Sequence, residues 1–399
     1  MNRIKDQLYL SGILILSLLL TSFQAYSQPN QLPPLTRIQF LQVTGGVVII
    51  QAQLAPFSDT LQFIFDTGSS GISLDSTTAS HLGLRPTYDG LQIRGIAGVR
   101  EVSQLRNQTL TIGSLLADSL NFYINDYSVL TSIYGVRIDG VIGYAMLSRY
   151  IVSIDYEKQF MEWYTPGLFP YPRKGVLLKP QITKLPAHPL TIQDLQSKNY
   201  PMLIDIGAGL NLLFSERFAK EAGVLDPTRK TWITSGEGIG GQIELRLTLL
   251  RSLRIGPYRF KKIPITIFDD NNNVTNYPHW AGLIGNDLLR RFNIILNYPA
   301  AEIHLRPNRF YYDEFDYAYI GMELYLIDGR ITIGFVASNS PAQEAGLEVG
   351  DEIVAINKVV GEKLDAFKAE LAHAQKKVSI IYKRNGKIET GVVKVTRIK

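Results

Sequence analysis

Two short stretches set a carboxylate at the end of an apolar run: "FIFDTGSSG" at residues 63–71 and "MLIDIGAGL" at residues 202–210. In both, a Gly stands two positions after the acid, which lets the chain turn at once and come close to another backbone. A lone buried carboxylate is costly unless hydrogen bonds or a shared proton compensate it. Two such acids brought face to face cannot both ionise, so they hold one proton between them. The charged partner can then take a proton from a water while the neutral one donates toward a carbonyl oxygen, which is the chemistry of amide hydrolysis. Such a pair titrates as a unit, so neither acid owns a single pKa. Asp66 and Asp205 are therefore the expected catalytic pair.

The acids belong to a longer repeat. "DGVIGYAMLSRYIVSIDY" begins at Asp139 and "AGLIGNDLLRRFNIILNY" at Ala281. Asp205 follows Asp66 by 139 residues and Gly285 follows Gly143 by 142, so two anchors are displaced almost equally. Two copies of one lobe are implied, joined by the Pro- and Gly-rich "TPGLFPYPRKG". The segments between are short, alternating and separated by Gly, Pro, Asn and Asp, as in "GQIELRLTLLRSLRIG", the texture of β-strands. Each copy also holds a glycine-punctuated strand pair, "LQIRGIAGVREV" and "SGEGIGGQIEL". These read as flaps, with Gly95, Ile96 and Gly98 at one tip and Gly238, Ile239 and Gly240 at the other.

Asp66-Thr67-Gly68-Ser69, a Gly-rich flap and Val141-Ile142-Gly143 before a short helix, all repeated, resemble the retropepsin-like aspartic proteases. The resemblance covers roughly residues 36–308. It implies a mainly β fold with two pseudo-symmetric β-barrel lobes, over residues 36–165 and 176–308, and a dyad assembled within one chain. Thr67, Gly68, Ser69, Gly207 and Ala208 would support the dyad, and the flaps would grip an extended substrate. The second copy departs from the family in Ile206, where a Thr hydroxyl usually reaches across to tie the loops together. Thr67 can still make that tie. Ser69 is expected to donate to the Asp66 carboxylate, while Ala208 offers Asp205 no hydroxyl, so the dyad should work at a less acidic pH than one with two such donors.

After "NRFYYDEFDYAY", read as packing or linker, the texture changes again. "SPAQEAGLEVGDEIVAIN" resembles the signature turn and strand of PDZ domains, with Gly346 and Gly350 at unusual backbone positions, Asp351 in a turn, and Ile353 and Ile356 in a core. Leu364, Phe367, Leu371 and Ala374 are spaced as one helix face, and Asn385-Gly386 marks a hairpin. A small α+β PDZ domain is expected over residues 317–399, with Tyr319, Ile320, Gly321 and Met322 as the loop that holds a peptide terminus.

The first residues set the compartment. Arg3 and Lys5 precede the apolar block "LYLSGILILSLLLTSF", and "AYS" before Gln28 suits cleavage, so residues 1–27 read as a signal peptide. The chain has no Cys and a net charge of +5 over 399 residues, without a basic run dense enough for nucleic acid. Gly236-x-Gly238-x-x-Gly241 precedes an alternating, strand-like segment instead of the helix that a dinucleotide site needs. "DDNNNV" lacks the Gly and closing Glu of a calcium loop, and the five His show no metal-ligand spacing. The expectation is an exported aspartic endopeptidase, periplasmic or extracellular, acting as a monomer on peptides or proteins without metal or cofactor. The rival is a catalytically weak or inactive protease-like scaffold that presents cleft and PDZ as a peptide-binding module.

Overall fold

The computed structural model describes residues 32–399 apart from 97, 239, 240, 273, 276, 277, 362, 373 and 375. The proposed signal peptide, Ile239 and Gly240 thus lie outside the described residues. Residues 34–167 and 173–399 form one compact unit. Residues 32, 33 and 168–172 fall in a second, where Phe169 packs against Tyr171. No helix among the described residues is long and apolar enough to cross a membrane.

Within the large unit the first lobe contains β1 (Val48–Leu54), β2 (Leu61–Phe65), β3 (Ile72–Asp75), β4 (Tyr88–Gly95), β5 (Gly98–Ile112), β6 (Leu115–Asn125), helix α1 (Ser128–Tyr134), β7 (Gly140–Ile142) and the one-turn helix α2 (Tyr144–Leu147). Its strands hydrogen-bond in the order β1-β2-β7-β3-β6-β5-β4, and β1 pairs again with β5, which bends the sheet toward closure. The second lobe contains β8 (Pro186–Gln193), β9 (Ser197–Ile204), β10 (Leu212–Ser215), β11 (Trp232–Gly238), β12 (Gly241–Ile255), β13 (Tyr258–Phe268), β14 (Gly282–Ile284) and α3 (Asn286–Leu289). Its order, β8-β9-β14-β10-β13-β12-β11 with β8 pairing β12, repeats the first. The mainly β, two-lobe architecture expected from the repeat is the one observed.

Alternation explains the strands. In β1, Val48, Ile50, Ala52 and Leu54 are buried in the large core while Gln51 and Gln53 are exposed, as a half-buried pleat requires. The buried Ile49 instead joins a smaller cluster with Ile64 and Val141. The two copies meet in a six-stranded sheet whose order is itself symmetric: Thr36–Gln39, Phe160–Tyr164 and Ile151–Asp155 from one, then Phe292–Asn297, Glu302–Pro307 and Val176–Leu178 from the other. Ile151–Asp155 and Phe292–Asn297 run antiparallel at its centre. Val152, Ile154, Trp163, Ile294 and Leu296 from this sheet share one core with both lobes, so the lobes are fixed to each other by apolar burial.

The segment after this sheet packs as the sequence suggests. Tyr311 and Phe315 close over Phe260, and the buried Arg291 guanidinium donates to the Asp313 carbonyl at 2.5 Å while lying over the Phe315 ring. The C-terminal domain follows: β15 (Met322–Ile327), β16 (Arg330–Val336), α4 (Pro341–Glu344), β17 (Glu352–Ile356), α5 (Leu364–Leu371), β18 (Lys377–Arg384) and β19 (Lys387–Lys394). Its sheet order is β15-β16-β17-β18-β19, so β15 is an edge strand. Gly346 and Gly350 adopt positive φ, as do both residues of the Asn385-Gly386 turn. Asp351 does more than turn the chain: it is buried and accepts two 2.7 Å hydrogen bonds from Arg384. Helix α5 ends at Leu371, short of the expected Ala374, which still packs on the core of this domain.

Candidate active site

Asp66 and Asp205 stand at equivalent places, each one residue beyond the strand that enters its loop, β2 or β9. The Asp66 N–H donates to the Ile142 carbonyl at 2.9 Å, and the Asp205 N–H donates to the Ile284 carbonyl at 2.9 Å. Gly143 N–H reaches the Gly71 carbonyl at 3.0 Å and Gly285 N–H the Asn211 carbonyl at 2.9 Å. The helices α2 and α3 begin on the same loops, Tyr144 donating to Ser69 O and Asn286 to Ala208 O. Each acid loop is therefore held from beneath by the other anchor of its own copy, which is why the two motifs recur together.

The pseudo-twofold axis brings both acids to one point, their carboxyls within hydrogen-bond reach of each other. The glycines make that approach possible. A Cβ on Gly68 would collide with the Asp205 carboxylate, and one on Gly207 with the Asp66 carboxylate. Any side chain there would push the acids apart.

Thr67 and Ile206 break the symmetry. The buried Thr67 hydroxyl donates to the Ile204 carbonyl at 2.7 Å and accepts the Ile206 N–H at 2.9 Å. The Ile206 side chain has no such group to return, and it is fully buried in the large core. One side of the tie is made and the other is replaced by apolar packing.

The donors to the acids differ from expectation. Ser69 addresses Asp66 through its backbone N–H, beside the N–H groups of Gly68, at 2.6 Å, and Gly207. Ala208 does offer Asp205 a partner, its own N–H at 3.1 Å. Backbone geometry supplies what the side chains were expected to give. Burial raises the Asp66 pKa from its ordinary 3.8, against the lowering effect of its hydrogen bonds to Asp205 and to the three N–H groups. Burial raises Asp205 well above that value, and the negative charge of Asp66 adds to the rise. The N–H groups that face Asp66 favour its charged form, and the pair titrates as one unit.

The two flaps meet each other. Gly95 pairs with Gly98 and Gly238 with Gly241 at the two hairpin tips. The Ile96 side chain lies against Gly238, so closely that a Cβ there would collide with it. Ile96 also packs against the buried cluster of the second lobe that holds Leu203, Leu213, Leu245, Phe268 and Leu283. The two copies thus touch through an apolar contact near the flap tips.

Two tyrosines escaped the sequence reading. Burial raises the Tyr134 phenol, on α1, and the negative charges of Asp66 and Asp205 raise it further. Tyr298 is shifted the same way, also with burial first, and its buried hydroxyl has no protein partner among the described residues. Tyr298 carried a signal, since both repeat anchors end in Tyr, at 156 and 298. Tyr134 had no counterpart in the second copy to mark it.

In the C-terminal domain Gly321 has positive φ, and Ile320 and Met322 are buried in the domain's own core. Tyr319 turns toward the protease-like lobe instead, its hydroxyl donating to the Ile233 carbonyl at 2.7 Å and its ring packing on Trp232. The "DDNNNV" turn closes on itself, Asp270 accepting from Val274 N–H at 2.6 Å and Thr275 N–H at 2.8 Å.

Residues 53–146 and 189–288 each match the family model described as aspartyl protease, and residues 318–395 match that of the PDZ domain. The chain carries two retropepsin-like aspartyl protease repeats followed by a C-terminal PDZ domain. No curated protein matches it.

Proposed function

We propose that this chain, built of two aspartyl-protease-like repeats and a PDZ domain, is an exported aspartic endopeptidase acting as a single chain. One observation carries the reading: the Asp66 and Asp205 carboxyls are within reach of a common proton. Asp66, held charged by three backbone N–H groups, takes a proton from a water between the acids. The hydroxide attacks the substrate carbonyl carbon while Asp205 donates its proton to the carbonyl oxygen, giving a gem-diol. Collapse breaks the C–N bond as one gem-diol hydroxyl returns its proton to Asp205, and the proton gained by Asp66 goes to the leaving amine. The flaps exclude bulk water and hold an extended peptide by strand-like hydrogen bonds. Export to the periplasm or beyond rests on the basic and apolar residues before Gln28.

A second reading, a peptide-binding scaffold without turnover, is favoured by Ile206, which leaves the tie between the loops one-sided. Incubating residues 28–399 with a denatured protein mixture, beside the Asp66→Asn variant, separates the two. Cleavage by the parent alone supports the enzyme; equal cleavage by both removes the dyad from the account.

A further inference from the structure

The PDZ domain touches both walls of the cleft with the elements that would receive a peptide. From the first lobe, helix α1 packs along the edge strand β15. At its C-terminal end the Ile133 carbonyl accepts a 2.6 Å hydrogen bond from Lys368 of α5. A cation suits that end, where the helix dipole is negative. Gly135, just beyond, is so near α5 that a Cβ on it would stand 3.1 Å from the Leu364 Cβ. From the second lobe, the flap strand β11 meets β15 through its side chains. There Thr234 donates to Glu323 at 3.3 Å, and Tyr325 donates to Glu237 at 2.9 Å.

We propose that the PDZ domain is an internal strap on the cleft. Its peptide groove, between β15 and α5, is taken by the chain's own helix α1, and the same strand pins the second flap. A peptide adding to the edge of β15 has to displace α1, and parting the flaps has to free β11 from Glu323 and Tyr325. Groove and cleft therefore exclude each other while strapped. Helix α1 also carries Tyr134, whose phenol is raised by burial and then by the charges of Asp66 and Asp205. The proposal rests on the reading of the cleft as an endopeptidase site.

The chain has no cysteine, so the double variant Gly135→Cys/Leu364→Cys can form only the one disulfide that ties α1 to α5. Its Cβ separation is close to the roughly 3.5–4.5 Å that a disulfide needs. We expect oxidation to lower peptide cleavage by about tenfold, the factor one charge-assisted hydrogen bond commands, and reductant to restore it. The parent chain should ignore the reductant. Lys368→Met should act oppositely, raising kcat/KM and speeding amide hydrogen exchange within residues 128–134. An oxidised lock that cleaves as fast as its reduced form, or unchanged exchange in Lys368→Met, overturns the strap. Should no form exceed Asp66→Asn in cleavage, the endopeptidase reading fails, and the exchange experiment alone still decides whether the PDZ holds α1.

Discussion

The Thr67 hydroxyl of the first copy holds both backbone groups that flank Asp205 in the second, the Ile204 carbonyl at 2.7 Å and the Ile206 N–H at 2.9 Å. One side chain thereby sets the position of the opposite acid. Thr67→Val keeps the shape and leaves both groups buried and unpaired, at a cost of about 2–6 kcal/mol since each such group is worth about 1–3. Thr67→Ser should recover most of it. Urea unfolding measures the loss, and a cost below about 0.5 kcal/mol would show that the contact carries no stability.

The pH profile follows from the directions of the two shifts. Cleavage needs Asp66 ionised and Asp205 protonated. Burial raises both pKa values, that of Asp205 further, with the charge of Asp66 adding to it. The acid limb, where Asp66 takes up its proton, and the alkaline limb, where Asp205 loses it, therefore both move upward. We expect optimum kcat/KM in weak acid to neutral solution; a peak below about pH 4 would contradict this assignment.

Asp205→Asn should abolish cleavage and stabilise the fold. A carboxyl whose folded pKa is raised binds its proton more tightly in the native state, so its stability contribution is full below the unfolded value. That contribution is lost as pH rises through the folded value. Asn never ionises and escapes the loss. The variant should melt above the parent at pH 7, with the gap closing toward pH 3. A parent more stable than the variant at pH 7 would mean the acid is not strained by burial.

Gly207 faces the Asp66 carboxylate with no room for a Cβ. Gly207→Ala should cut kcat by about a hundredfold or more, the scale for displacing a reacting group by roughly 1 Å, while circular dichroism stays unchanged. Full activity in this variant would mean the acids do not act at this separation.

The duplicated acid loop, the second anchor and the glycine-tipped flaps were legible because each is a local pattern that appears twice. The PDZ fold was legible for a similar reason, its turns and apolar spacing being local. Ser69 shows the limit. Its hydroxyl suggested a donor, but the loop turns its backbone N–H to Asp66 instead, a matter of φ and ψ that residue type does not encode. Tyr319 was expected at a peptide terminus and lies on Ile233 and Trp232, because its ring is buried with apolar residues far away in sequence.

The sequence alone determined that two similar lobes exist, that each brings one acid on a tight turn, and that Ile206 cannot return the tie Thr67 makes. Those facts follow from residue chemistry and periodicity within a few turns of chain. Tertiary structure decided how many N–H groups face each carboxylate, which residue type does not encode. It also decided that Lys368 meets Ile133 and Tyr325 meets Glu237, contacts made only when separately folded parts bury surface against each other. No local pattern announces such a meeting, because the free energy that drives it is apolar area removed from water and is indifferent to position along the chain.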